Sequence, residues 1–259
     1  MATLRRTPDH LPGCLAGRLQ HRVVGWYNPY CRLLHDVLDR CNWTCHLPLT
    51  AGISDHQSVA ANLLAPLVRL ADTAPSFLLP RLSTSPGDLV EVRDVIIDFE
   101  ILSSSADQLV ADPSEDFLYL HMPIPHPPGI YDRRRATFGT SHTSYIDNLV
   151  LADQFVAHIR QMLEQRGQWN SSAIVIMGDH SWRTKLVWVS SDKWTAEDEA
   201  ASHGGQFDDR PAYIVKLPNQ QKSARIDDRF DAVRTRALLD GIITNSIKTP
   251  EDLAAWVRK

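Results

Sequence analysis

Along residues 144–167, SYIDNLVLADQFVAHIRQMLEQRG, apolar side chains return at Ile146, Leu149, Val150, Val156, Ile159 and Leu163, the spacing that gives a helix one apolar face. Ser144 offers a cap at its start and Gly167 a stop at its end. Directly afterwards AIVIMG (173–178) sets β-branched and apolar residues on consecutive positions, the pattern of a strand covered on both faces as in a parallel sheet. DFLYLHMP (116–123) and AYIVKLP (212–218) read as two further buried strands, and HRVVGWYNPY (21–30) as a short strand closed by an Asn-Pro turn. CRLLHDVLDRC (31–41) follows with Leu33, Leu34, Val37 and Leu38 on one helical stripe.

Further helices are expected over 56–72, which Pro66 kinks or divides, and over 88–111. Two more, FDAVRTRALLDGII and TPEDLAAWVRK, close the chain, the last opened by Thr249 as cap with Pro250 in its first turn. Between 124 and 144 the prolines and glycines of IPHPPGIYDRRRATFGTSHTS force a loop. Strands alternating with helices predict an α/β fold, a largely parallel sheet flanked by helices. The expected organisation is a poorly ordered segment over 1–20, basic and broken by Pro8 and Pro12, and a single domain over 21–259.

Composition narrows the function. With 27 basic against 31 acidic residues the net charge is -4, so no broad basic surface is implied for nucleic-acid phosphates. No run reaches the ~20 apolar residues of a membrane helix, and the first twenty residues are too polar for a secretory signal. Three of the four cysteines, Cys31, Cys41 and Cys45, interleave with His35 and His46, which leaves a structural zinc site, a disulfide within the cluster, or packed and free thiols as open readings.

In an open α/β sheet, ligands collect beyond the carboxyl ends of the strands. Three such ends deliver polar groups: His121 and His126 after FLYLHMP, Asp179 and His180 with Arg183 after AIVIMG, and His203 in ASHGGQFDDRP before the third strand. A carboxylate with one or two imidazoles suits a divalent cation, whether zinc, manganese or a harder ion such as calcium. Arginine beside it offers a two-pronged donor to sulfate or phosphate. Each group also has a plainer reading: Asp179 as a turn cap, His121 as a hydrogen-bonded core residue, His203 as a solvated loop side chain. Asp147 and Asp153 read as surface or capping groups, and Asp208 and Asp209 as parts of a turn. The prolines around His126 leave it little freedom, which puts a positioned imidazole on an equal footing with a merely exposed one.

The order FLYLHMPIPHPP, SYIDNLVLADQFVAHIRQMLEQRG, AIVIMGDHSWR, HGGQFDDRPAYIVKLP resembles the C-terminal half of a sulfatase-like hydrolase of the alkaline phosphatase superfamily. In that family a Pro-His-Pro loop follows one strand, a helix of the form Tyr-x-Asp-x-x-x-x-x-Asp packs behind it, here Tyr145, Asp147 and Asp153, and the next strand ends in Ser-Asp-His-Gly, here Gly178 to Ser181. RVVGWYNPY looks like an earlier family strand. The resemblance implies an alkaline-phosphatase-like fold and metal-dependent hydrolysis, or transfer, of sulfate or phosphate esters. It assigns Asp179, His180 and, further off, His203 to a divalent metal of unspecified identity, and His126 and Arg183 to contacts with the anionic group.

Ser181 stands where the family has glycine, followed by Trp182, and before RVVGWY there is no apolar strand with metal-holding acids and a nucleophile. Cys14 lacks the Cys-x-Pro-x-Arg setting of a modified sulfatase cysteine. The expectation is therefore an incomplete domain with impaired catalysis, from a parent that is exported or membrane-tethered. The alternative is a non-catalytic α/β remnant that serves as a binding or interaction module.

Overall fold

The computed structural model describes residues 20–44, 86–114, 116–139, 143–180, 195–203 and 210–259. The expected helix over 56–72, Cys14, Cys45, Ser181, Trp182, Arg183 and the Asp208-Asp209 pair lie outside them. The chain divides into a larger compact unit, Gln20–Ile159 with Thr184–Phe207, and a smaller one, Met1–Leu19 with Arg160–Arg183 and Asp208–Lys259.

In the larger unit β1 (His21–Trp26) is the middle strand of a three-stranded sheet, with β2 (Arg40–Thr44) on one side and β3 (Phe117–His121) on the other. Both neighbours run parallel to β1, so the α/β expectation holds here. Gly25 pairs with Trp43 on one side and His121 on the other, which brings the carboxyl ends of all three strands to one rim.

Strand alternation sorts the two faces. Val24, Trp26, Leu118 and Leu120 pack with Leu102 and Leu109 of α2 (Pro86–Val110). Val24, Leu102 and Leu109 are wholly buried, each burial stabilising by roughly 1.5–3 kcal/mol. Tyr119 and His121 point to the opposite face, where the Tyr30 ring meets both, at 5.7 and 5.8 Å between centroids. A second apolar cluster joins Val92, Val95 and Phe99 of α2 to Ile124, Ile130, Tyr131 and Leu151. It lies beneath the proline-rich loop and a short hairpin, β4 (Tyr131–Asp132) with β5 (Thr137–Phe138).

The helix expected over 31–41 shrinks to one turn, α1 (Tyr30–Leu33), and residues 40–44 become β2. Among the described residues the stripe that predicts a helix finds little to bury against: Leu33 and Val37 are 64% and 55% exposed. A helix that short is marginal without packing. The segment is instead held by a Cys31–Cys41 disulfide, one of the open cysteine readings, and by Asp39, which accepts from the His21 N–H.

The helix expected over 144–167 is α3 (Tyr145–Gln165), and Gly167 follows it at φ +67. Its capping box is complete, since Ser144 Oγ accepts from Asp147 N–H and Asp147 Oδ2 from Ser144 N–H. Its buried residues are not the expected apolar row. Asp147, Asn148 and Leu151 are buried, Ala152 and Phe155 pack on the core, and Leu149 is 43% exposed. Two polar residues turn inward because they are hydrogen-bonded there, a role that hydrophobic spacing cannot register.

In the smaller unit β6 (Ile174–Met177) pairs with β7 (Tyr213–Lys216), and the pairing is antiparallel. The expected burial of this strand on both faces is also corrected, as Met177 is 42% exposed. Consecutive β-branched residues mark a strand without fixing its direction, which follows from the route of the chain. Behind the pair, Leu217, Leu238, Ile242, Ile247, Leu253 and Val257 form the core with α5 (Thr235–Ile243) and α6 (Pro250–Val257). One 3-10 turn, Ala232–Arg234, precedes α5 where helix was expected, and Thr249 caps α6 as expected. Lys216 donates to the carbonyls of Trp169 and Ser172, and burial holds its ammonium below the usual lysine range.

Candidate functional site

At the rim of the larger unit's sheet, β3 ends in His121 and the loop beyond it presents His126. Tyr30 crosses β1 at Gly25, where a Cβ would lie 2.2 Å from the ring, and its hydroxyl reaches His121 Nδ1 at 2.8 Å. The same hydroxyl accepts from the Asn28 amide at 3.2 Å, so it joins Asn28 to the strand-end imidazole. The plainer reading of His121, a hydrogen-bonded residue at the strand end, is the one observed.

His126 is exposed, and its Nδ1 lies against the Pro127 carbonyl. A carbonyl only accepts, so Nδ1 is the donor of that bond. Trp26 stands between the two imidazoles, its ring 6.2 Å from His121 and 5.2 Å from His126. The indole N–H and the Thr44 hydroxyl both donate to Asp98, a fully buried carboxylate of α2 that ties the ends of β1 and β2 together.

The loop bearing His126 is fastened from below by Asn148 of α3. Its amide accepts from Ile130 N–H at 2.9 Å and donates to the carbonyls of His126 and Pro128 at 3.1 and 3.0 Å. Nothing in hydrophobic spacing or motif matching singles out Asn148, Trp26, Tyr30 or Asp98. A buried asparagine one residue beyond the capping box is the signal that was available.

Beside this loop, Arg133 lies between Asp147, at 3.1 Å, and Glu197 of α4 (Ala196–Ala201). The Asp147 contact is an ion pair without directed hydrogen-bond geometry. Arg134, Ser144, Asp147, Thr195, Ala196 and Glu197 line a cleft of about 290 Å³ whose charges are largely paired with one another. At the hairpin, burial pushes the Asp132 carboxyl up, but the N–H groups of Arg135 and Arg134 outweigh it and hold the group below its usual range.

Asp179 and His180 follow β6 in the smaller unit, with His180 Nε2 3.8 Å from Asp179 Oδ1 and the carboxylate 76% exposed. His203 lies in the larger unit, exposed, just past α4 at φ 50. The structure thus places Asp179 and His180 side by side, as their adjacency requires, and His126 against Trp26. Arg183 is outside the described residues. Among the described residues no three His, Cys, Asp or Glu side chains form a group fit to hold a metal. An oxygen and a nitrogen donor of suitable chemistry therefore stand together after β6, and they are two donors of the four or more that such a cation takes.

No helix among the described residues is long and apolar enough to cross a membrane. No curated protein and no solved structure matches the chain. The family model described as Sulfatase matches residues 94–218, just under half of the chain. The match runs from α2 to the end of β7 and takes in His121, His126, Asn148, Asp179, His180 and His203, so this stretch is similar to the Sulfatase family.

Proposed function

We infer that the protein is a sulfatase-like hydrolase of the alkaline phosphatase superfamily that cleaves sulfate or phosphate esters with the help of a divalent cation. The observation that carries this reading is the sulfatase-family match over 94–218, whose span holds the proline-bracketed His126 and the Asp179-His180 pair. Asp179 and His180 would supply an oxygen and a nitrogen donor to the cation. A bound divalent cation supplies Lewis-acid polarisation of the anionic group.

Water attacks the sulfur or phosphorus as the bond to the ester oxygen breaks, and the proton lost by the water ends on that oxygen, while the chain's own residues hold the anion and move the proton. His126, with its Nδ1 hydrogen engaged by the Pro127 carbonyl, has Nε2 to take up or return a proton at the ester oxygen. Arg183 offers its planar fork to two oxygens of the sulfuryl or phosphoryl group. Both substrates are tetrahedral oxyanions, so the same donors serve either.

Release of 4-nitrophenolate from 4-nitrophenyl sulfate and 4-nitrophenyl phosphate by the full chain, in buffer holding manganese or calcium, tests the reading. Loss of the general acid-base group in His126→Ala should slow the reaction by about 100-fold or more. Asp179→Ala should raise the cation concentration needed for half-maximal rate. Equal rates for wild type and both variants would overturn the assignment, and a folded chain that hydrolyses neither ester would favour a binding module.

A further inference from the structure

The loop 124–130, Ile-Pro-His-Pro-Pro-Gly-Ile, has a backbone that cannot hold itself in place. Its three prolines bring no N–H, so the segment is rich in carbonyls and poor in donors, and it pairs with no strand. Three of its backbone groups, the carbonyls of His126 and Pro128 and the N–H of Ile130, are instead met by one side chain, the Asn148 amide, which is wholly buried.

We propose that Asn148 is the positioning residue of His126, fixing through these three bonds the direction in which that imidazole meets the ester. The inference rests on the hydrolase reading for its consequence, though not for its geometry. The chemistry selects asparagine. Two donors and one acceptor are needed in one plane at the end of a short side chain: aspartate has acceptors only, serine has a single donor, and glutamine is a methylene longer. Asn148 is in turn fixed, because it sits on the first turn of α3 next to Asp147, whose carboxylate closes the capping box with Ser144 and pairs with Arg133. Leu151, on the same side of α3, anchors that turn in the apolar cluster that also contains Ile124 and Ile130, the two ends of the loop. The loop is thus held at its ends by apolar contacts, at its far end also by the Gly139 N–H on the Ile130 carbonyl and the Thr143 hydroxyl on the Gly129 carbonyl, and around His126 by the Asn148 amide.

The test uses the full chain with histidine-selective isotope labelling. In Asn148→Asp, which keeps the shape and removes both donors, the His126 ring resonances should shift or broaden and the His121 resonances should stay. On the two nitrophenyl esters kcat should fall by about 100-fold while KM changes little, as for a misplaced catalytic group. Thr249→Ala, a destabilising change at the cap of α6, should leave kcat and the His126 resonances as in the wild type. Hydrogen exchange of the Ile130 amide in the unaltered protein provides a reading that needs no variant, and that amide should be strongly protected.

Rapid exchange at Ile130, or a folded Asn148→Asp protein whose His126 resonances and kcat match the wild type, would overturn the proposal. If the wild type hydrolyses neither ester, the hydrolase reading falls by itself. Protection at Ile130 and the His126 resonances then still decide whether Asn148 places the imidazole.

Discussion

Gly25 shows how one missing side chain organises the rim. The Tyr30 ring occupies the space a Cβ would take, and only there can its hydroxyl reach His121. Gly25→Ala should displace the ring and cost about 1–3 kcal/mol in urea unfolding, the scale of overpacking in a well-filled site. Tyr30→Phe keeps the packing and removes the bond to His121, for about 1 kcal/mol. The glycine variant losing less than the phenylalanine variant would show that the ring does not lie over the strand. Asp112 makes a different kind of statement. Its carboxyl is lowered from 3.8 to about 2 by the Ser114 hydroxyl and N–H, with burial opposing and Arg22 assisting. A depressed carboxylate pKa adds stability above the ordinary value of 3.8, and that stability drains away as the pH falls toward 2. Between pH 4 and 2, wild-type stability should therefore drop more steeply than that of Asp112→Asn, and parallel curves from urea melts at stepped pH would refute the assignment.

Elements with strong local signals were readable and those depending on tertiary partners were not. Helix α6 opens on Thr-Pro-Glu-Asp, and the structure has the full capping box, with Thr249 Oγ1 accepting from Asp252 N–H and the Asp252 carboxylate from Thr249 N–H. The N–H groups of Lys248 and Thr249 also hold the Asp252 carboxyl below its usual range. Thr249→Ala should cost about 0.5–2 kcal/mol, measured by thermal unfolding, and Thr249→Ser much less. No loss on the alanine change would mean that the box contributes nothing to the fold. The segment 31–41 failed for the opposite reason: its stripe obeys helical spacing, but Leu33 and Val37 find no surface among the described residues, and the disulfide and β2 take over the chain. On α3 the helix was legible and its orientation was not. Asn148 and Asp147 are buried through hydrogen bonds to a loop and a cap, and polar residues of that kind look like surface in a one-dimensional pattern.

For the molecule as a whole, the candidate site residues proposed from the sequence are those at strand ends with an unusual local context, the proline-bracketed His126 and the Gly-Asp-His turn. The groups around His121 and His126, namely Trp26, Tyr30, Asp98 and Asn148, are scattered over more than a hundred residues and meet only in the fold. This distribution bears on what a cation can do for stability. Asp179 is largely exposed, and the core of its unit is built from Leu217, Leu238, Ile242, Leu253 and Val257, not around a polar centre. A cation at Asp179 and His180 therefore has no core to hold together and can stabilise only by binding the folded chain in preference to the unfolded one. At a free concentration 100 times its dissociation constant the increment is about 2.7 kcal/mol, growing with the logarithm of concentration. Urea unfolding at rising manganese should follow that line in the wild type. Asp179→Asn, an exposed substitution, should start within about 0.5 kcal/mol of the wild type without the ion and gain far less from it. Equal gains in the two proteins would place the cation elsewhere on the chain, whereas a wild type that fails to fold without the ion would mean that the cores described for the two units are insufficient by themselves.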